Sequence, residues 1–118
     1  MKIFILEDDP NRVSWFKENL DCKNLDITEF VEEAIELLNN NTYDAVFLDH
    51  DLGGTYYAPS DEKSGYAVAE LIAENITYKP IIVIHSMNHA GGTRMYGVLR
   101  DAGFNPVMSP FTCLMGNY

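Results

Sequence analysis

Three short stretches of this 118-residue chain carry side chains that can bind an ion, hold a phosphate or move a proton. Glu7, Asp8 and Asp9 follow the apolar run Lys2 to Leu6, Asp49, His50 and Asp51 follow Ala45 to Leu48, and His85, Ser86 and Asn88 follow Ile81 to Ile84. Neighbouring carboxylates disfavour one another's charge, and a bound cation offsets that cost. Imidazoles titrate near neutrality, so His50 and His85 can take a proton from water and return one to a leaving group. The chain's formal charge of −10 would repel a phosphate, so phosphate chemistry here needs a divalent cation between the carboxylates and the ligand. Oxygen ligands alone favour magnesium, whereas coordination by His50 or His85 favours manganese, zinc or a similar ion.

Something must bring these stretches together. Ala45-Val46-Phe47-Leu48 is an unbroken apolar run ending in Asp-His-Asp and a glycine pair, the pattern of a strand buried on both faces of a parallel sheet. Such a strand delivers its last residues to the carboxyl edge, where open α/β folds bind ligands. Lys2 to Leu6 is a first strand, and Asp9 with Pro10 opens a helix carrying Val13, Phe16 and Leu20. Leu25 to Phe30 alternates like a half-buried edge strand, and Val31, Ala34, Ile35 and Leu38 mark a second helix stopped by Asn39-Asn40-Asn41. The organising strand spans Tyr43 to Leu48. Residues 53–63 have no periodicity and read as a long loop.

Ser64 can cap a third helix with Val68, Leu71 and Ile72 on one face, and Lys79-Pro80 opens the strand Ile81 to Ile84. Gly91-Gly92-Thr93 leads a fourth helix with Met95, Val98, Leu99 and Ala102 inward and Gly103 as its stop. Val107-Met108 is a last short strand. Alternation of this kind implies right-handed crossovers and an α/β, flavodoxin-like, doubly wound five-stranded parallel sheet in the order 2-1-3-4-5. Residues 1–118 are expected to form a single domain, with 47% hydrophobic residues sufficient for one core.

No run of about 18 apolar residues offers a membrane span, and the first apolar run is too short for a signal peptide. A cytoplasmic protein is expected. Cys22 and Cys113 lack metal-type spacing and read as free or buried thiols. The acidic balance argues against binding nucleic acid or an anionic membrane.

Nearly the whole chain resembles a receiver domain of the bacterial response-regulator family. In that family an acidic pair after the first strand holds magnesium and an aspartate ending the third accepts a phosphoryl group. The resemblance matches Asp8 and Asp9 to the pair and Asp49 to the acceptor. It implies a metal site of Asp8, Asp9 and Asp49. Two positions depart from the pattern: His85, or Ser86 with a one-residue shift, stands for the usual Thr or Ser, and Ser109 stands for the usual Lys before Pro110. Losing that lysine removes a charge-assisted partner of the phosphoryl oxygens. The loop with Tyr56 and Tyr57 is longer than the family's, and the chain stops about where the fifth helix would begin, which implies a truncated last helix.

The combination of Leu48-Asp49-His50-Asp51-Leu52-Gly53 with Ile84-His85-Ser86-Met87-Asn88 and Gly91 is similar to a divergent receiver branch proposed to process cyclic phosphates. The expected function is binding or hydrolysis of a cyclic phosphate. His50, His85 and Asp49 would be catalytic, with Ser86, Asn88 and Ser109 on phosphate oxygens and Tyr56 and Tyr57 stacking on a nucleobase. Simpler roles stand beside these: Asp9 as an N-cap, the tyrosines packing their loop, and Gly91-Gly92 as a hinge. Two other functions are compatible with the sequence. One is a signalling receiver phosphorylated on Asp49 by a histidine kinase, and the other is a pseudo-receiver acting as an interaction module.

Overall fold

The computed structural model describes residues 1–20, 23–52 and 64–111. Five parallel strands, β1 (Lys2–Leu6), β2 (Asn24–Thr28), β3 (Ala45–Leu48), β4 (Ile81–Ile84) and β5 (Val107–Met108), lie in the order β2-β1-β3-β4-β5. Four helices connect them: α1 (Pro10–Asn19), α2 (Val31–Asn40), α3 (Gly65–Asn75) and α4 (His89–Asp101). The expected strand order is the observed one. Residues 53–63 and 112–118, the expected long loop and the truncated fifth helix, lie outside the described residues together with Tyr56, Tyr57, Cys22 and Cys113.

Alternation along the strands sorts side chains to the two faces. Phe4, Leu6, Val46, Leu48, Ile82 and Ile84 join Ala34, Leu38, Val68, Ile72, Met95 and Leu99, so α2, α3 and α4 cover one face. Ile3, Ile5, Ala45 and Phe47 join Phe16, Trp15 and Phe111, so α1 lies on the other. Burying both faces explains why the central strands read as unbroken apolar runs.

Local signals set most boundaries. Asp9 caps α1 by accepting from Asn11 N, with Pro10 following, and Ser64 caps α3 by accepting from Tyr66 N. Gly103 adopts φ 93°, the left-handed conformation expected just past a helix end. Four boundaries differ from the sequence reading. β2 begins one residue earlier, at Asn24, and ends at Thr28, with Phe30 exposed as the residue preceding α2. β3 begins at Ala45, the first residue paired with β1, and Asp44, whose N–H bonds Lys2 O, and the buried Tyr43 lie ahead of it. α4 begins at His89, because the Asn88 side chain accepts from Gly91 N and caps the helix there. Gly91 and Gly92 are therefore first-turn residues of a helix, not a loop hinge.

Candidate functional site

Leu6, Leu48 and Ile84 are register partners on three adjacent strands and all face the α2–α4 side. The next residue on each strand must turn to the α1 side. Those residues are Glu7, Asp49 and His85, all buried, and their ligand atoms lie within 4.8 Å of one another. Register and alternation alone assemble this trio.

Glu7 is the centre of the arrangement. Its Oε1 lies 2.9 Å from His85 Nε2, and its Oε2 accepts from the backbone N–H of Asp8 and Asp9 at 3.0 and 3.1 Å. Burial pushes its pKa up, but the His85 hydrogen bond and charge, the Asp9 N–H and the Arg12 guanidinium together outweigh burial and hold Glu7 below the ordinary range. Asp49 responds in the opposite sense. Desolvation first and the Glu7 charge second push it up to about 8, against the opposing pull of the His50 N–H and of Arg12. Two buried carboxylates in contact cannot both ionise easily, so the proton resides on Asp49 at neutral pH.

Arg12 closes the trio on the α1 side. One of its terminal nitrogens lies 3.7 Å from Glu7 Oε1 and 3.8 Å from Asp49 Oδ2, and its Nε lies 3.8 Å from Asp9 Oδ2. Its Cζ sits 5.5 Å from the Phe111 ring centre. The sequence reading passed over this residue. Its signal was a spacing of three from a helix-capping aspartate, which aims a helical side chain back over the strand ends.

Continuing the alternation sends His50 to the opposite face. There its Nδ1 lies 2.7 Å from Asp51 Oδ1, and Asn88 Nδ2 donates to the same oxygen at 3.0 Å. Two glycines make room for this turn. A Cβ on Gly91 would stand 2.5 Å from the His50 ring, and a Cβ on Gly65 would stand 1.8 Å from the Asp49 carbonyl oxygen. Each histidine is thus held by a carboxylate, His85 by Glu7 against Phe16 of α1 and His50 by Asp51 against α4.

The remaining sequence-assigned residues take other places. Asp9 is the α1 cap, and Asp8 is half-buried beside the trio along an open groove of about 490 Å³ that also reaches Glu7, Lys17 and Phe30. Glu7, not Asp8 or Asp9, meets Asp49 and His85, because the first residue beyond β1 has the inward parity and its N–H still bonds Thr28 O. Ser86 Oγ accepts from Asn88 N at 3.0 Å and shapes the turn before α4. Asn88 spends its side chain on Gly91 and Asp51. Ser109 is half-buried, its backbone N–H bonding Ile84 O.

The donors of the trio fit a divalent cation, two carboxylates and an imidazole within reach of one ion. The buried Nδ1 of His85 has no hydrogen-bond partner among the described residues. A histidine that ligates through Nε2 carries its proton on Nδ1 and normally donates it to an outer partner. With none there, the donor set fits an oxygen-held divalent ion on Glu7 and Asp49 better than a histidine-ligated one.

A family model described as the cyclic-phosphate processing receiver domain matches residues 1–101. Among solved structures, response regulator protein TrrA from Thermotoga maritima, in complex with Mg²⁺-BeF, is similar at 26% identity over 94% of this chain and 89% of that one, with a TM-score of 0.66. A CheY-like receiver domain from Methylobacillus flagellatus matches at 22% identity over 100% and 98% of the chains, with a TM-score of 0.64. One from Methanospirillum hungatei matches at 17% identity over 98% and 88%, with a TM-score of 0.63. These two show the shared fold. No curated protein sequence matches the chain. Among the described residues no helix is long and apolar enough to cross a membrane.

Proposed function

We propose that this chain, which belongs to the cyclic-phosphate processing receiver domain family, binds a cyclic phosphodiester at the carboxyl edge of its sheet and opens the ring by hydrolysis. The observation that carries this reading is the in-register convergence of Glu7, Asp49 and His85, with a second carboxylate-held histidine, His50, on the other side of the same strand ends. In the reaction, water adds to phosphorus, one ring P–O bond breaks, and the departing alkoxide takes a proton to give a phosphomonoester with a free hydroxyl. One proton must be removed and one supplied, and two imidazoles oriented by carboxylates can divide that work. Glu7 and Asp49 would hold a magnesium or manganese ion, which when bound supplies positive charge to the phosphoryl oxygens. A nucleotide-type cyclic phosphate is the best-specified ligand class.

Purified protein with magnesium or manganese should open members of a panel of 2′,3′-cyclic and 3′,5′-cyclic nucleotides and cyclic-ADP-ribose-type phosphates. His85→Ala and His50→Ala should each lower the rate by about 10²–10⁴. An intact panel with every divalent ion tried would end the hydrolase reading. A second reading, phosphorylation of Asp49 by a histidine kinase, draws support from the TrrA complex with Mg²⁺-BeF and from the contact of Asp49 with Glu7.

A further inference from the structure

We infer that Arg12 is the residue that binds the ligand's phosphate, which rests on the cyclic-phosphate reading and supplies the positive charge that β5 does not. Ser109, at the end of β5, carries no charge, and the cation paired with Glu7 and Asp49 among the described residues is Arg12. Among other cations, Lys2 is engaged with Asn41, Lys79 over Phe104 and Arg100 with Asn105, while Lys17 shares the groove that reaches Glu7.

The distances say how Arg12 is used. At 3.7 to 3.8 Å from three carboxylates it balances their charge, yet every contact is longer than an N–H···O hydrogen bond. Its five donors are not locked into a fork on any of them. A guanidinium built to stabilise the acid pair alone would make such a fork, since bidentate carboxylate contacts are the strong ones. Arg12 lies outside the two buried carboxylates: its side chain is 21% exposed, against 0% for Glu7 and 4% for Asp49, with the capping Asp9 beside it on the rim at 33%. A ligand reaching Glu7 and Asp49 from solvent therefore passes the guanidinium. The Phe111 ring beneath Cζ supports it from the protein side. With Glu7 and Asp49 holding a divalent ion, Arg12 would be drawn to them less, and its fork would be free for two phosphate oxygens.

Inorganic phosphate titrated calorimetrically into magnesium-saturated protein tests this without a cyclic substrate. Arg12→Gln should weaken phosphate binding by about 10- to 100-fold, with Arg12→Lys in between. Magnesium binding to Arg12→Gln should be unchanged or tighter, because a competing cation has gone. In the wild-type protein, which avoids any folding defect of the variants, the Arg12 Nε–H NMR resonance should shift on adding phosphate. Unchanged phosphate affinity in Arg12→Gln, an unmoved resonance, or equal losses of magnesium and phosphate affinity would each overturn the assignment. Phosphate bound through Arg12 by protein that leaves every cyclic phosphate intact would refute hydrolysis and keep this role. Hydrolysis that survives Arg12→Gln would do the reverse.

Discussion

The side chain of His85, from the end of β4, reaches Glu7 at the end of β1 across the intervening strand β3, with 2.9 Å between Nε2 and Oε1. The bond spans three strands at the point where Asp49 emerges. Both partners are buried, so the pair tightens the carboxyl edge and at the same time decides which of the two adjacent carboxylates stays ionised.

Removing the imidazole should therefore be felt twice. His85→Ala leaves a buried Glu7 with its backbone donors and Arg12 only, and should destabilise the fold by about 3 kcal/mol. Adding Glu7→Gln should restore part of the loss, because no buried charge is then left unpaired. A denaturant double-mutant cycle reads both values, and additive losses would show that the pair is not coupled.

The raised pKa of Asp49 fixes a pH dependence. The folded state holds a proton that the unfolded chain releases near 3.8, so this group's stabilisation is complete below that value and is lost as pH rises toward about 8. Glu7, held below its ordinary value of 4.5, contributes in the opposite direction, its share being lost as pH falls through its lowered value. Metal-free Asp49→Asn should consequently melt above the wild-type protein at pH 9, and the gap should narrow at pH 6.

Cation binding follows from the same proton. An ion held by Glu7 and Asp49 must displace it, so magnesium or manganese affinity should climb with pH and level off above about 8. Calorimetry in buffers of different ionisation enthalpy should show about one proton released per ion at pH 7. Zero release would place the ion elsewhere.

Two glycines of α4 should respond oppositely to a methyl group. Gly91→Ala forces its Cβ into the His50 ring, which should cost about 1–3 kcal/mol and reduce any His50-dependent activity. Gly97→Ala meets no atom within 4 Å and removes a flexible residue from a helix, so it should stabilise by about 0.5–1 kcal/mol. Thermal melts of the two variants decide the point.

Phosphoacceptor chemistry is separable from hydrolysis. Acetyl phosphate with magnesium should leave little or no stable adduct, since the residue that follows β5 is Ser109, which offers no charge to the phosphoryl oxygens of a modified Asp49. Near-complete phosphorylation by intact-mass spectrometry, abolished in Asp49→Asn, would favour the signalling reading instead.

The sheet was legible because its signals are local. Apolar runs marked β1, β4 and β5 to the residue, and Asp9, Ser64 and Gly103 announced helix ends. The site was legible only to the level of which strand ends meet. Three consecutive carboxylates, Glu7 to Asp9, look alike in sequence, and strand parity selects Glu7 while the demand for a helix cap takes Asp9. His50 and His85 looked like one pair, yet alternation and the glycines at 65 and 91 set them on opposite faces. Asn88 read as a ligand because the cap it makes lies across a turn whose start the glycines obscured.

Gly65 N–H donates to His50 O at 2.8 Å, and its missing side chain lets α3 begin directly against Asp49. The chain thus leaves the sheet and re-enters the fold at one point. Lengthening a segment whose ends are already pinned together adds only about 0.6 kcal/mol of closure entropy per doubling. Gly65 itself therefore fixes how close Asp49, His50 and α3 lie, so Glu7, Asp49 and His85 keep their register whatever length of chain joins residues 52 and 64.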